Sequence, residues 1–163
     1  GLNVTVPFKK SIIPYLDILS GDALRTQSVN TISLDKGNLI GDNTDIDGFE
    51  LSIKKINYDV CDKIVLILGA GGVVPSIISA LQRMNVSKIF VSNKKKKKAD
   101  HLNELFEKID VVEWGNLPDF DKHCMHIISR HLFYQGMILI HFQKIVSLLN
   151  MLYLCNSKPL YHF

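Results

Sequence analysis

The clearest pattern along the chain is an unbroken apolar run, Ile64-Val65-Leu66-Ile67-Leu68. A run of that length without polar alternation predicts a parallel strand covered on both faces. Gly69 to Gly72 follow as a tight turn, and Val74, Ile77, Ile78 and Leu81 then recur at helical spacing. They predict a helix over 73–84 with those four side chains buried. A second strand is read at 88–92, a helix at 97–108 and a third strand at 111–114. This strand-helix-strand-helix-strand order with short connections predicts a right-handed, doubly wound parallel sheet.

The first sixty residues have a different rhythm. Residues 2–6 read as a short strand closed by Pro7. The stretch 11–19 reads as helical, with Pro14 in its first turn or ending it early. Residues 23–27 continue as a second helical piece. Two strands, 29–34 and 38–41, flank the turn Asp35-Lys36-Gly37-Asn38. A helix over 47–56 places Phe49, Ile53 and Ile56 on one face.

Length and composition narrow the class. At 163 residues the chain can hold one sizeable domain or two small lobes. A hydrophobic share of 47% with 21% charged residues describes an ordered soluble protein. The net charge is +3, and five lysines stand together at Lys94 to Lys98. The excess is therefore local, which argues against a nucleic-acid-binding face. Cys61, Cys124 and Cys155 are odd in number and widely spaced. That usage fits reduced thiols in a cytoplasmic protein, and no secretory leader is visible.

Two clusters carry candidate chemistry: Gly1-Leu2-Asn3-Val4-Thr5-Val6-Pro7-Phe8-Lys9 and Gly41-Asp42-Asn43-Thr44-Asp45. Between them they supply a lysine and a carboxylate able to share one proton-transfer site. With Ser28-Val29-Asn30-Thr31, they resemble the shikimate dehydrogenase family, whose pattern runs Asn-Val-Thr-x-Pro-x-Lys, Ala-Val-Asn-Thr and Gly-x-Asn-Thr-Asp. The resemblance continues through Leu68-Gly69-Ala70-Gly71-Gly72 and Val91-Ser92-Asn93, and fades near Asp121. By it, Lys9 matches the catalytic lysine and Asp45 its carboxylate partner, while Thr5 and Asn30 would hydrogen-bond hydroxyls of the cyclohexene acid. Lys10 is the adjacent alternative to Lys9. Ser28 stands where the family usually has alanine. The family's Ser-x-Ser clamp for the substrate carboxylate would lie upstream of Gly1, so the natural protein is expected to begin earlier.

Gly69-Ala70-Gly71-Gly72-Val73-Val74 lies between a predicted strand and helix, the context of a dinucleotide fingerprint. Gly69 suits the tight turn, and Gly71 lets the backbone approach a pyrophosphate. Val74 stands where the generic motif has its last glycine. No carboxylate ends the second strand; Asn93, Lys94 and Lys95 stand there instead. Cations without an acid favour a 2′-phosphate, so NADP is the expected cofactor, held by Gly69, Ala70, Gly71, Gly72, Val73, Asn93, Lys94 and Lys95. The family commonly has arginine where Lys94 stands. Lysine keeps the charge but loses the planar fork and its stacking on adenine.

The segment from Lys122 to Phe163 contains no Asp, Glu, Ala or Thr, yet holds five of the six histidines. The family's strand ending in Asn-Ala-Thr and its later Gly-x-x-Met-Leu-x-x-Gln are missing. The tail is therefore read as foreign to the family, as from a shifted reading frame, leaving three strands and an exposed sheet edge. His123, Cys124, His126 and His131 lack zinc-finger spacing, so no metal is expected. The apolar stretch 136–155 is interrupted by His141, Gln143, Lys144 and Asn150, and no membrane span is expected.

The fold class is thus α/β: residues 1–48 as the C-terminal part of a substrate lobe, 49–121 as the first half of a truncated Rossmann-like lobe, and 122–163 as a divergent tail. The resemblance implies reversible, NADP-dependent reduction of 3-dehydroshikimate to shikimate in aromatic amino-acid biosynthesis. The rivals are a quinate/shikimate dehydrogenase using NAD and a non-catalytic dinucleotide-binding remnant. The oligomeric state stays open.

Overall fold

The structure, a computed structural model, describes residues 1–115 together with the backbone of two later strands, Met125–Ser129 and Ile140–His141. Two sheets organise these residues.

The first sheet is built around a hairpin. Strands β3 (Thr31–Asp35) and β4 (Asn38–Asp42) pair antiparallel, with Thr31 opposite Asp42. The connecting Lys36 and Gly37 both have positive φ, 48° and 86°. That conformation matches the right-handed twist of the flanking strands and favours glycine at the second position. The short β1 (Leu2–Asn3) adds antiparallel to β3, and β2 (Ile18–Leu19) adds parallel to β4. Helix α1 (Gly21–Thr26) begins at Ser20, whose side chain accepts from the Ala23 N–H at 3.1 Å. A small core of Ala23, Val29 and Ile32 lies beneath, packed by Val4, Ile12, Ile13, Leu16 and Leu19.

The second sheet is parallel at its centre. Strand β5 (Ile64–Leu68) pairs with β6 (Lys88–Ser92), and β6 with β7 (Ile109–Val112). Strand β8 (Met125–Ser129) lies parallel to the other edge of β5, and β9 (Ile140–His141) is antiparallel to β8. The order is β7-β6-β5-β8-β9. Helices α2 (Asp45–Lys55), α3 (Val74–Arg83) and α4 (Lys96–Leu105) contribute to its core. Ile46, Phe49 and Ile53 from α2 meet Val74, Ile77, Ile78 and Leu81 from α3 there, with Val65, Ile67, Ile89 and Val91 from the strands. Each such fully buried aliphatic side chain contributes about 1.5–3 kcal/mol.

The expected β5, α3 and β6 stand within a residue of their sequence-based limits; other expectations are corrected. The first strand stops at Asn3 because Phe8 N–H bonds Thr5 O at 2.8 Å, closing a turn around a cis Val6–Pro7 bond. The stretch 11–19 is not a helix. Pro14 sits in a three-residue 3-10 turn, Ile13–Tyr15, and Leu16 is already extended. Asp17 then bonds β4 through backbone and side chain, its N–H reaching Leu39 O at 3.0 Å and its Oδ2 accepting Leu39 N–H at 2.7 Å. That zipper makes Ile18–Leu19 a strand. The helix expected at 47–56 begins at Asp45, so its buried stripe is Ile46, Phe49 and Ile53, while Ile56 lies beyond the last turn and is 56% exposed. The third strand stands two residues earlier than expected, leaving Trp114 beyond its end. The sheet also has more than three strands: β8 pairs with β5, Ile127 opposite Leu66, and so occupies the β5 edge expected to be open.

Candidate active site

The site begins with two backbone links that fix Lys9. Its carbonyl accepts the Val29 N–H at 2.8 Å, and the Val4 N–H reaches Asn30 O at 2.7 Å. The turn carrying Lys9 is thereby laid along the segment from Ser28 to Thr31. Asn30 N–H in turn bonds Asp42 O at 3.0 Å, drawing in the start of α2.

These links bring three of the sequence-predicted residues together. Lys9 Nζ donates to Asp45 Oδ2 at 2.6 Å, with the two side chains 15% and 26% exposed. Asn30 Nδ2 donates to Asp45 Oδ1 at 2.9 Å and to Thr44 Oγ1 at 3.0 Å. Asn30 Oδ1 accepts from Thr44 N–H and Thr31 Oγ1, both at 3.0 Å. Asp45 is thus held on both oxygens, one by a cation and one by an amide. Partial burial strengthens such contacts over those of a solvated pair. Thr5 is exposed at the head of the same turn, and its side chain forms no hydrogen bond to Lys9, Asp45 or Asn30. Lys10 is exposed.

The glycine turn stands across from this group. Gly69 has φ 108°, a backbone conformation open to glycine, and its N–H bonds Ser92 O at 2.7 Å. Ala70 N–H donates to Asn93 Oδ1 at 3.2 Å, while Asn93 Nδ2 donates to Lys95 O at 2.8 Å. Asn93 therefore ties the glycine turn to the start of the lysine run. Gly71 O accepts from Val74 N–H at 3.0 Å, and Val73 precedes the first residue of α3. Gly72 is exposed, and a Cβ built on it would lie 3.5 Å from Val6 Cγ2. A side chain at Gly72 would therefore meet the turn that bears Lys9. Val74, at the position of the generic motif's last glycine, is buried in the core instead.

Lys94 and Lys95 are exposed, and among the described residues neither forms an ion pair. The Lys94 ammonium stands 5.8 Å from the centre of the Trp114 ring. Free cations beside exposed turn backbone can receive an anion.

Several residues that matter to this geometry were not singled out by sequence. Asn43 is buried, and its Nδ2 donates to Thr26 Oγ1 and Ser76 Oγ, each at 2.9 Å. Its Oδ1 accepts from the Asp45 N–H at 3.1 Å, satisfying a helix-start donor. One amide thus joins α1, the start of α2 and the first turn of α3. Asp42 accepts from Ser20 Oγ at 2.5 Å. Arg83, in the last turn of α3, pairs with Asp22, with Asp47 at 3.3 Å and with Glu50 at 3.7 Å. Hydrogen bonding with Asp22 raises its guanidinium above the ordinary range. The signal for Asn43 was present in Gly-Asp-Asn-Thr-Asp; Ser76 and Arg83 carried none.

Among the described residues no group of three acids, histidines or cysteines could hold a metal, and no helix is long and apolar enough to cross a membrane. The side chains of His123, Cys124, His126 and His131 lie outside the described residues, as does the apolar stretch 136–155 apart from the backbone of β9.

The family model described as the shikimate dehydrogenase substrate binding domain matches residues 1–32. The model described as shikimate / quinate 5-dehydrogenase matches residues 50–129. That second match runs past Asp121 to the end of β8, so likeness to the family extends further than the sequence reading placed it. The NADP+-dependent shikimate dehydrogenase of Pelagibacter ubique is 50% identical over 145 residues, covering 89% of this chain and 54% of that protein. A shikimate dehydrogenase structure from Aquifex aeolicus aligns with a TM-score of 0.63 at 42% identity, over 68% of this chain and 41% of that one. The Thermus thermophilus shikimate 5-dehydrogenase, in complex with NADP(H) and shikimate, aligns with a TM-score of 0.62 at 33% identity over the same shares, 68% and 41%. The chain spans about half the length of the curated relatives it matches, 54% and 44% for two of them. With its Lys9–Asp45 pair formed, its glycine turn between β5 and α3, and both family models matched in order, the chain belongs to the shikimate dehydrogenase family.

Proposed function

We propose that this chain carries the proton-transfer pair and the first half of the nucleotide lobe of an NADP-dependent shikimate dehydrogenase, an enzyme interconverting 3-dehydroshikimate and shikimate on the route to aromatic amino acids. The observation that carries the reading is the Lys9–Asp45 contact at 2.6 Å, on a turn whose Val6 stands against Gly72. Residues 1–48 would form the substrate side and 49–121 the nucleotide side, with 122–163 following as a tail that begins with β8. A cytoplasmic location is part of the same proposal.

The residues present fit a 2′-phosphorylated dinucleotide. Gly69 to Val73 form a turn leading into α3 with Gly72 exposed at its tip, Asn93 braces it, and Lys94 and Lys95 lack carboxylate partners among the described residues. When bound, NADP(H) supplies or takes up the hydride. Lys9 holds the proton at Nζ for the oxygen that becomes the hydroxyl, and its charge favours negative charge building there. Asp45 Oδ2 orients that ammonium, and Asn30 fixes Asp45 through Oδ1. Thr5, exposed on the turn that leads to Lys9, meets a substrate hydroxyl. Asn30, with its amide hydrogens on Thr44 and Asp45, meets another by exchanging the Thr44 contact. A site built of such groups penalises analogues that lack the hydroxyls.

The test is NADPH formation by the purified chain with shikimate and NADP+, run beside NAD+. Turnover that is faster with NADP+ supports the reading. Binding of NADP+ without turnover would assign the chain a nucleotide-binding role only, and turnover with NAD+ alone would overturn the cofactor assignment.

A further inference from the structure

Trp114 lies just beyond β7, and the β6–β7 pairing sets Val112 opposite Ser92. The chain segments that leave the sheet here, Asn93-Lys94 from β6 and Glu113-Trp114 from β7, are therefore neighbours at the C-terminal ends of adjacent parallel strands. Asn93 is the residue bonded to the glycine turn through Ala70 N–H. Trp114 keeps 42% of its surface exposed, although burying an indole is favourable. Its ring carries the Lys94 ammonium at 5.8 Å. A part-exposed indole with a cation over one face, paired with no acid among the described residues, offers both parts of a phosphorylated nucleoside a partner: the opposite π-face for the base and the charge for the phosphate. Lysine by itself supplies only the charge, since it lacks the planar guanidinium that stacks.

On the reading that the chain binds NADP with Lys94 at the 2′-phosphate, we propose that Trp114 is the stacking platform for the adenine ring. The division of labour follows from the chemistry of the two side chains. The indole carries base affinity regardless of the phosphate, and Lys94 carries the preference for a 2′-phosphorylated ribose.

Trp114 is the single tryptophan of the chain, so its emission reports on this contact without any need for turnover. The experiment titrates NADP+, 2′,5′-ADP and nicotinamide mononucleotide into the full chain. Calorimetry and tryptophan emission are followed together, and binding is then repeated by calorimetry on Trp114→Ala and Trp114→Phe. Expected is quenching by NADP+ and 2′,5′-ADP at the calorimetric midpoints. Trp114→Ala should weaken both about tenfold, Trp114→Phe should retain most of the affinity, and binding of nicotinamide mononucleotide should not depend on Trp114. Lys94→Ala should weaken 2′,5′-ADP while leaving 5′-ADP unchanged. NADP+ binding by calorimetry with no change in emission, and equal affinity in Trp114→Ala, would overturn the inference while leaving the NADP reading intact. Absence of NADP+ binding to the unaltered chain would overturn both.

Discussion

Replacing Asn43 by alanine probes the junction on which the site depends. The side-chain amide meets the hydroxyl of Thr26, the hydroxyl of Ser76 and the N–H of Asp45, at 2.9, 2.9 and 3.1 Å. Thr26 keeps a second bond, from its Oγ1 to Asp22 O at 2.7 Å, and so loses little. Ser76 is fully buried, and among the described residues its hydroxyl bonds only Asn43, so it becomes an orphan. A buried unsatisfied hydroxyl costs about 1–3 kcal/mol, and the loss of a helix-start partner for Asp45 N–H adds about 1 kcal/mol. The expected loss for Asn43→Ala is therefore about 3 kcal/mol, a large share of a typical folding stability. Ser76→Ala removes the hydroxyl without stranding Asn43, which keeps Thr26 and Asp45, and should cost about 1 kcal/mol. In Asn43→Ala/Ser76→Ala the orphan is gone, so the double variant should be more stable than the sum of the singles by about 1–2 kcal/mol. Urea unfolding followed by circular dichroism of all four proteins reads the cycle. Strict additivity, or a loss below about 1 kcal/mol for Asn43→Ala, would refute the reasoning.

Further consequences can be checked by the same unfolding assay. Ser28 Oγ is buried without a hydrogen-bond partner among the described residues, so Ser28→Ala should raise stability by about 1 kcal/mol, and a lower midpoint would contradict this. A Cβ at Gly41 would lie 2.5 Å from Leu16 Cδ1 and 3.0 Å from Val29 Cγ2; Gly41→Ala should cost about 1–3 kcal/mol by overpacking the small core, and a neutral result would show that these side chains yield. Arg83 pairs with Asp22, Asp47 and Glu50 while about a third exposed, 35% by side chain. Allowing for solvent screening, Arg83→Lys should cost about 1 kcal/mol in low salt and less in high salt; salt-independence would point to packing instead of charge.

How much of this was legible depended on how local each cause is. The strand Ile64–Leu68 and the helix after it announce themselves because a continuous apolar run and a helical stripe are each written in consecutive residues. The hairpin was legible from Lys36-Gly37 for the same reason. Residues 11–19 misled because their apolar spacing suits a helix, and the force that extends them is a pairing with Leu39, some twenty residues away. Lys9 and Asp45 are 36 positions apart; no periodicity links them, and only the ordered motifs set them in one site. Strand β8 was discounted because the composition of the tail changes at Lys122, yet its backbone pairs in register with β5 from Met125 to Ser129. Ser76 and Arg83 were invisible because a serine or arginine on a helix acquires meaning only from what it faces.

The site as a whole stands or falls with Lys9. Single-turnover oxidation of shikimate with bound NADP+ should be measured on the unaltered chain and on Lys9→Ala, with NADP+ affinity determined for both by calorimetry. Loss of a positioned proton-transfer group should slow the reaction about 100-fold or more while NADP+ affinity stays unchanged. Equal rates in the two proteins would contradict the assignment of proton transfer to the Lys9–Asp45 pair.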